Sequence, residues 1–241
     1  MCHRRVARRR LPSICLLALL ISFTRLAASE PDLEFNVVSG YVESVDIDGS
    51  NGDRARHTED QGQGGCRTVT LVSGGAAAVP RIAIHKTTGD SWIVWWTAGA
   101  TDEVRYVVRD AGTGAWSAEA VLSESGENSR NPEVVHNGDE VWIAYEIAGA
   151  ERSIAVVGII DEPEPFGRTV VATTPYAGNI DTLIHSEAGH VWVTWIDSES
   201  EVGWSEYDHA SEIWGATQFV TYAGSTVDSI RKAIRATVVG P

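Results

Sequence analysis

The sequence predicts an all-β chain folded as a β-propeller, on three observations. A stretch of text recurs at a spacing of 50 residues, each copy holds two hairpins, and no segment keeps a helical period. The first hairpin reads "HKTTGDSWIVWW" from His85, "HNGDEVWIAYE" from His136 and "HSEAGHVWVTWI" from His185, so that Trp92, Trp142 and Trp192 stand 50 apart, as do Trp95, Tyr145 and Trp195. Each copy follows a short apolar run ("RIAI", "PEVV", "DTLI"), and a turn joins the two. The second hairpin begins at Glu103, Ser153 and Glu201 and carries an aspartate (Asp110, Asp161, Asp208) followed by an aromatic (Trp116, Phe166, Trp214). Four short strands per unit, joined by turns rich in Gly, Asp and Pro, are the sequence form of a propeller blade.

The strand "SWIVWWT" places Trp92, Val94 and Trp96 on one face and Ile93 and Trp95 on the other. A sheet wet on one side cannot use that pattern. The second strand of a blade can, because blades on either side cover it, and each buried tryptophan then removes about 150–250 Å² from water. Trp96 is the exception. Glu146 and Ile196 take its place in the other copies, which makes it the tryptophan of this stretch to expect at a ligand.

Three units run over 80–122, 132–173 and 180–221. The tail "STVDSIRKAIRATVVGP" resembles the start of a fourth, and residues 33–73 resemble the end of one, with Asp46 at the place of Asp110. The reading is therefore about four four-stranded blades, the last made of 227–241 and closed by 33–73, which removes the exposed sheet edges.

The first 29 residues have the three-part form of a secretory leader: arginines, an apolar stretch from Leu11 to Phe23, then small residues before Glu30. Residues 30–241 then form one exported propeller domain, secreted or periplasmic, with no later segment long and apolar enough for membrane insertion. Without the leader's six arginines, 13 of the 19 basic residues remain against 33 acids. Such a surface repels phosphate backbones, so nucleic acid is not an expected partner. Cys66 is left alone, and stability must come from burial rather than from a disulfide.

The turns between third and fourth strands resemble the Asp-box of sialidase-type propeller repeats, often called BNR repeats, which reads Ser-x-Asp-x-Gly-x-Thr-Trp. "VRDAGTGAW" keeps Asp110, Gly112 and Trp116, lacks the serine and has one extra residue before the tryptophan. The other copies keep only the aspartate and the aromatic. The resemblance spans Pro80 to Thr221 and implies the architecture. Sialidases bind the substrate carboxylate with three arginines and use a Tyr/Glu pair and an aspartate. "VPRIAI" is similar to their Arg-Ile-Pro stretch and offers Arg81 as one clamp, but no second or third arginine follows at a matching place.

Candidate binding residues lie where the innermost strands meet the channel mouth: Arg81, Glu133, Asp181 and Asp228 when the copies are aligned on the preceding turn, with Pro132 replacing Glu133 when they are aligned on the histidines. Trp96 joins them. His85, His136 and His185 are read as separate turn residues on different blades. Asp46 to Gly65 is read as a long acidic loop whose Asp46, Asp48, Ser50 and Asp53 have the alternating oxygens of a Ca²⁺ loop, with Asn51 where its glycine is expected. The function expected is a non-catalytic module binding glycan or protein. The alternatives are a reduced sialidase-like glycoside hydrolase using Arg81, and a propeller fragment that assembles as a homo-oligomer.

Overall fold

A computed structural model describes residues 32–60, 67–160, 166–175, 182–187, 189–198 and 201–221. They form four antiparallel sheets, each built from consecutive strands. The first holds β1 (Asp32–Asn36), β2 (Tyr41–Asp48), β3 (Arg54–Asp60) and β4 (Arg67–Leu71); the second β5 (Ala78–Ile84), β6 (Ser91–Thr97), β7 (Glu103–Arg109) and β8 (Ala120–Val121). The third holds β9 (Asn128–Asn137), β10 (Glu140–Ala148), β11 (Arg152–Ile160) and β12 (Phe166–Thr174). In the fourth, β13 (Leu183–Glu187), β14 (His190–Ile196) and β15 (Glu201–Asp208) are followed by β16 (Ile213–Trp214) and β17 (Gln218–Thr221), which share the outer position against β15. The innermost strands β1, β5, β9 and β13 pack side by side in that order, so the sheets stand as blades. Among the described residues no helix is long and apolar enough to cross a membrane.

The doubly apolar second strands do what their sequence requires. Ile93 and Trp95 of β6 pack with Val45 and Ala55 of the first blade, while Val94, flanked by Trp92 and Trp96, packs with Val134, Ile143 and Tyr145 of the third. In β10 the same alternation sends Val141, Ile143 and Tyr145 back to the second blade and Trp142 and Ala144 on to Val191, Val193 and Trp195 of the fourth. Trp95, Tyr145 and Trp195, 50 residues apart, are fully buried. Trp195 needs a bare backbone beside it: it pairs with Gly203, where a Cβ would lie inside the indole.

Two expectations about the N-terminal segment are corrected. Residues 32–71 supply all four strands of the first blade, not the closing strands of a blade begun by the tail. Residues 227–241, Asp228 included, lie outside the described residues. Second, half of the supposed loop from Asp46 to Gly65 is sheet: β2 runs to Asp48, a 3-10 turn occupies Gly49–Asn51, and "RARHTED" is β3. Ala55, His57, Thr58 and Glu59 are buried, while the charged Arg54, Arg56 and Asp60 give the strand a loop-like composition. Asp46 therefore sits on a second strand opposite Arg56, not at the turn occupied by Asp110.

Candidate functional site

Because strands alternate in direction, turns that follow the first and third strands of each blade lie at one end. The turns after the second strands, and the links to the next blade, lie at the other, here called the mouth. At the mouth β5 and β9 begin in the same way, with Val79-Pro80-Arg81 and Asn131-Pro132-Glu133. Val79 and Asn131 have φ of 48° and 49°, and pairing with the second strand shifts register at both places. A β-branched residue in the left-handed region is costly, on the order of 1–2 kcal/mol. Bulges of this kind re-aim side chains.

The side chains so aimed meet. Arg81 Nε donates to Glu133 Oε1 at 2.9 Å, across the second and third blades, and Arg81 also donates to the Pro80 carbonyl at 3.2 Å. Next to them the Ile82 amide donates to Asp32 Oδ2 at 2.8 Å, which brings the first blade to the same point. One layer outward, Arg130 Nε donates to the buried Asp102 at 2.5 Å, and its guanidinium carbon stands 5.6 Å from the Trp96 ring centroid. Arg152 pairs with the buried Glu146 at 3.3 Å. Arg168 donates to Tyr145 Oη and pairs with Glu124 and Glu127. Burial pushes the Tyr145 phenol up, with Arg168 opposing.

Of the residues expected at the mouth, Arg81 and Glu133 are thus brought together, and Trp96 lies half-buried beside Arg130. Asp181 lies outside the described residues, as Asp228 does. Arg130, Asp102 and Asp32 were not foreseen. The signal that could have found this corner is the pair Pro80 and Pro132, each between a bulge residue and a charged one.

The proposed Ca²⁺ ligands do not fit a cation loop. Both carboxylate oxygens of Asp46 are taken by Arg56, at 2.8 and 2.5 Å. Asp48 accepts from the Ser50 hydroxyl at 2.6 Å, Asn51 Nδ2 at 2.6 Å and the Ser50 amide at 3.0 Å, and these bonds hold its carboxyl below the usual range. The Ser50 hydroxyl is spent on Asp48, and the Asp53 carbonyl accepts from the Ala77 amide. Among the described residues no group of three His, Cys, Asp or Glu is placed to hold a metal ion.

The histidines are corrected too. His85 and His136 touch, edge to face, with ring centroids 5.0 Å apart. His185 instead stacks on Trp192 in the fourth blade. The three do not share a register position: His85 follows β5, His136 pairs with Val141 and His185 with Trp192. His85 Nδ1 accepts from the Thr88 amide at 2.9 Å, so its Nε2 carries the proton and faces Asp139 at 3.3 Å. Neither ring nitrogen of the buried His136 makes a hydrogen bond of ordinary length. Burial, with His85 adding to it, lowers its pKa to about 3, so the ring is neutral.

A buried polar cluster also sits between the first two blades at the turn end. Glu43 Oε1 accepts from Asn36 Nδ2 at 2.7 Å, and Oε2 accepts from His57 Nε2 at 2.8 Å and the Ser91 hydroxyl at 2.5 Å. Arg109 pairs with Glu59 at 2.8 Å and lies 3.9 Å from Glu43. Burial alone would raise the Glu43 pKa, but the bonds from His57, Ser91 and Asn36 outweigh it and hold the carboxyl below its ordinary value. The carboxylate stands between Ser91 and His57, fully buried, and its bonds pin the two blades together. Asp110 and Asp208 cap third-to-fourth-strand turns, accepting from the Thr113 amide at 2.7 Å and the Ala210 amide at 2.9 Å.

No family model matches the chain, and no curated protein matches it. Among solved structures it is similar to the intramolecular trans-sialidase from Ruminococcus gnavus, at 7% identity and a TM-score of 0.59, covering 83% of this chain and 71% of that one. It is similar to the endo-arabinase from Bacteroides thetaiotaomicron, at 12% identity and a TM-score of 0.54, covering 83% and 82%. It is also similar to the exo-β-1,3-galactanase from Phanerochaete chrysosporium, at 11% identity and a TM-score of 0.51, covering 80% of this chain and half of that one. The likeness is one of fold, a sialidase-like β-propeller.

Proposed function

We propose that this chain is an exported propeller that binds a glycan at the mouth end without turning it over. The observation that carries the reading is the pair of left-handed bulges, the one at Val79 strained, that bring Arg81 and Glu133 together, beside Arg130 over Trp96. The same bulge at matching places in two neighbouring blades, with strain at Val79, points to a built site. Charged hydrogen-bonding groups next to an aromatic face suit a sugar, which offers hydroxyls on its rim and C–H bonds on its faces. The similar solved structures are, by their names, a trans-sialidase, an arabinase and a galactanase, which fits a glycan as ligand. Export rests on the leader-like first 29 residues, which lie outside the described ones.

The alternative is a reduced sialidase-like hydrolase with Arg81 as carboxylate clamp. Its difficulty is that Arg81 is already engaged by Glu133, and Arg130 and Arg152 by Asp102 and Glu146. The deciding experiment measures oligosaccharide binding and fluorogenic-glycoside turnover on wild type and Arg81→Ala. The reading expects binding that weakens about tenfold in the variant, a difference of about 1.4 kcal/mol, and no turnover by either protein. Turnover lost in Arg81→Ala would establish the hydrolase instead.

Assembly of copies has one observation in its favour. On the first blade's face away from the second, Leu33, Val42 and Val69 are exposed, Leu33 by 61%. A second copy laid on this face would cover them. Mass in solution tests this, and a strict monomer rules it out.

A further inference from the structure

At the turn end, between the second and third blades, a cleft of about 620 Å³ opens on the side opposite the mouth. Its walls are Trp92 and Tyr106, stacked with centroids 5.6 Å apart, together with Val108, Val141 and Ile159; its polar groups include His85, His136 and Asp139. The volume lies in the range of small-molecule sites, and so does the mixture of an apolar wall with a few convergent polar groups.

We propose that this cleft is a second binding site, for a single neutral sugar unit. Three features narrow the ligand. His136 lines the cleft beside His85 and Asp139, so the wall carries polar groups that a purely apolar ligand would cut off from water without replacing any bond, whereas a ligand hydroxyl suits them. Asp139 is an exposed carboxylate at the rim, and Asp90 is a second acid in the lining, so an anion is repelled. The stacked pair Trp92 and Tyr106 gives an apolar wall for the C–H face of a pyranose. The acids leave a small organic cation as the competing occupant, and the test must separate the two.

The site is independent of the mouth. Asp90 illustrates why the cleft is shaped in advance: its carboxylate is fixed by the Ala111 amide at 2.7 Å and the Thr88 hydroxyl at 2.8 Å, which ties the first turn of the second blade to its last. No group of the Arg81–Glu133 corner lines the cleft. Loss of binding at one end therefore leaves the other intact.

The test is titration of the full chain with methyl β-galactopyranoside, and in parallel with choline, while the imidazole nitrogen signals of the histidines are followed by NMR. The expected result is a saturable shift of the His136 signals with the glycoside and none with choline. Asp139→Ala should weaken glycoside binding about fivefold to tenfold, and His136→Leu should remove the saturable response of Trp92 fluorescence. Arg81→Ala should leave the His136 response unchanged, which separates this site from the mouth. The proposal is overturned if the His136 signals stay fixed at saturating glycoside, if choline shifts them as well as the glycoside does, or if Arg81→Ala abolishes the response. Asp139→Ala, at an exposed side chain, leaves the buried core untouched and tests the site independently of His136→Leu.

Discussion

At the same height, two neighbouring blade interfaces solve the problem of burying polar groups in opposite ways. Between the first and second blades Glu43 is fully buried, and both of its oxygens are taken by Asn36, His57 and Ser91. Between the second and third, His136 is nearly as buried but is met by the Glu140 backbone without a bond of ordinary geometry, and a cleft opens beside it. A satisfied cluster fixes how blades meet. A poorly satisfied one leaves room for a ligand to complete it.

The largest effect that would break this contrast is at Glu43. Glu43→Ala leaves His57, Asn36 and Ser91 without their acceptor and opens a cavity, and the expected loss is about 3–5 kcal/mol in urea unfolding. His136→Leu should behave oppositely and raise stability by on the order of 1 kcal/mol, because it replaces a buried, poorly bonded polar ring with an apolar side chain. Equal losses at the two positions would erase the distinction.

Acid titration sharpens it further. Folded, His136 stays neutral down to about pH 3, with His85, Lys86 and Asp90 as the charged or titratable neighbours that bear on it; unfolded, it takes up a proton near the ordinary value of about 6.5. The unfolded chain binds more protons between those values, so the stability tied to the neutral ring is complete above about 6.5 and is lost as pH falls toward 3. Glu43 acts in a lower window. Its folded pKa is depressed, so its contribution is present above the ordinary carboxylate value of about 4.3 and is lost as pH falls through the folded one. Unfolding midpoints measured against pH should flatten in the upper window for His136→Leu and only in the lower window for Glu43→Gln.

The smallest change in stability is expected at Val79. Val79→Gly relieves the left-handed strain but adds unfolded-state freedom, so the net effect should be within about 1 kcal/mol. Glycan affinity should still fall several-fold, because Arg81 is no longer held at Glu133. Calorimetric melting and binding titration on the same variant separate the two effects.

How much of this could be read in advance differs from blade to blade. Trp92 and Trp142 announce the second and third blades because their second strands are covered on both faces, and Trp192 repeats the text in the fourth, where β14 packs Val191, Val193 and Trp195 against the third blade. The first blade has no such signature. Its β2 alternates polar and apolar residues, since one face stays partly exposed, and its β3 carries enough charge to pass for a loop. At the mouth, Arg81 follows from the repeat alone, and Glu133 when the copies are aligned on the preceding turn. Arg130 and Asp102 do not, because they come from different blades 28 residues apart and meet only through the fold. The contact of His85 with His136 was hidden by a register offset: the text aligns the histidines, while the sheet places one after its strand and the other within it.

The central claim is that a glycan occupies the mouth end. Hydrogen exchange read by mass spectrometry, on the chain saturated with an arabino- or galacto-oligosaccharide and on the free chain, tests it most directly. The account predicts slowed exchange over residues 79–82 and 128–133 and at Asp102, with the oligosaccharide recovered intact. Unchanged exchange in those segments, or shortened oligosaccharide in the mixture, would contradict it.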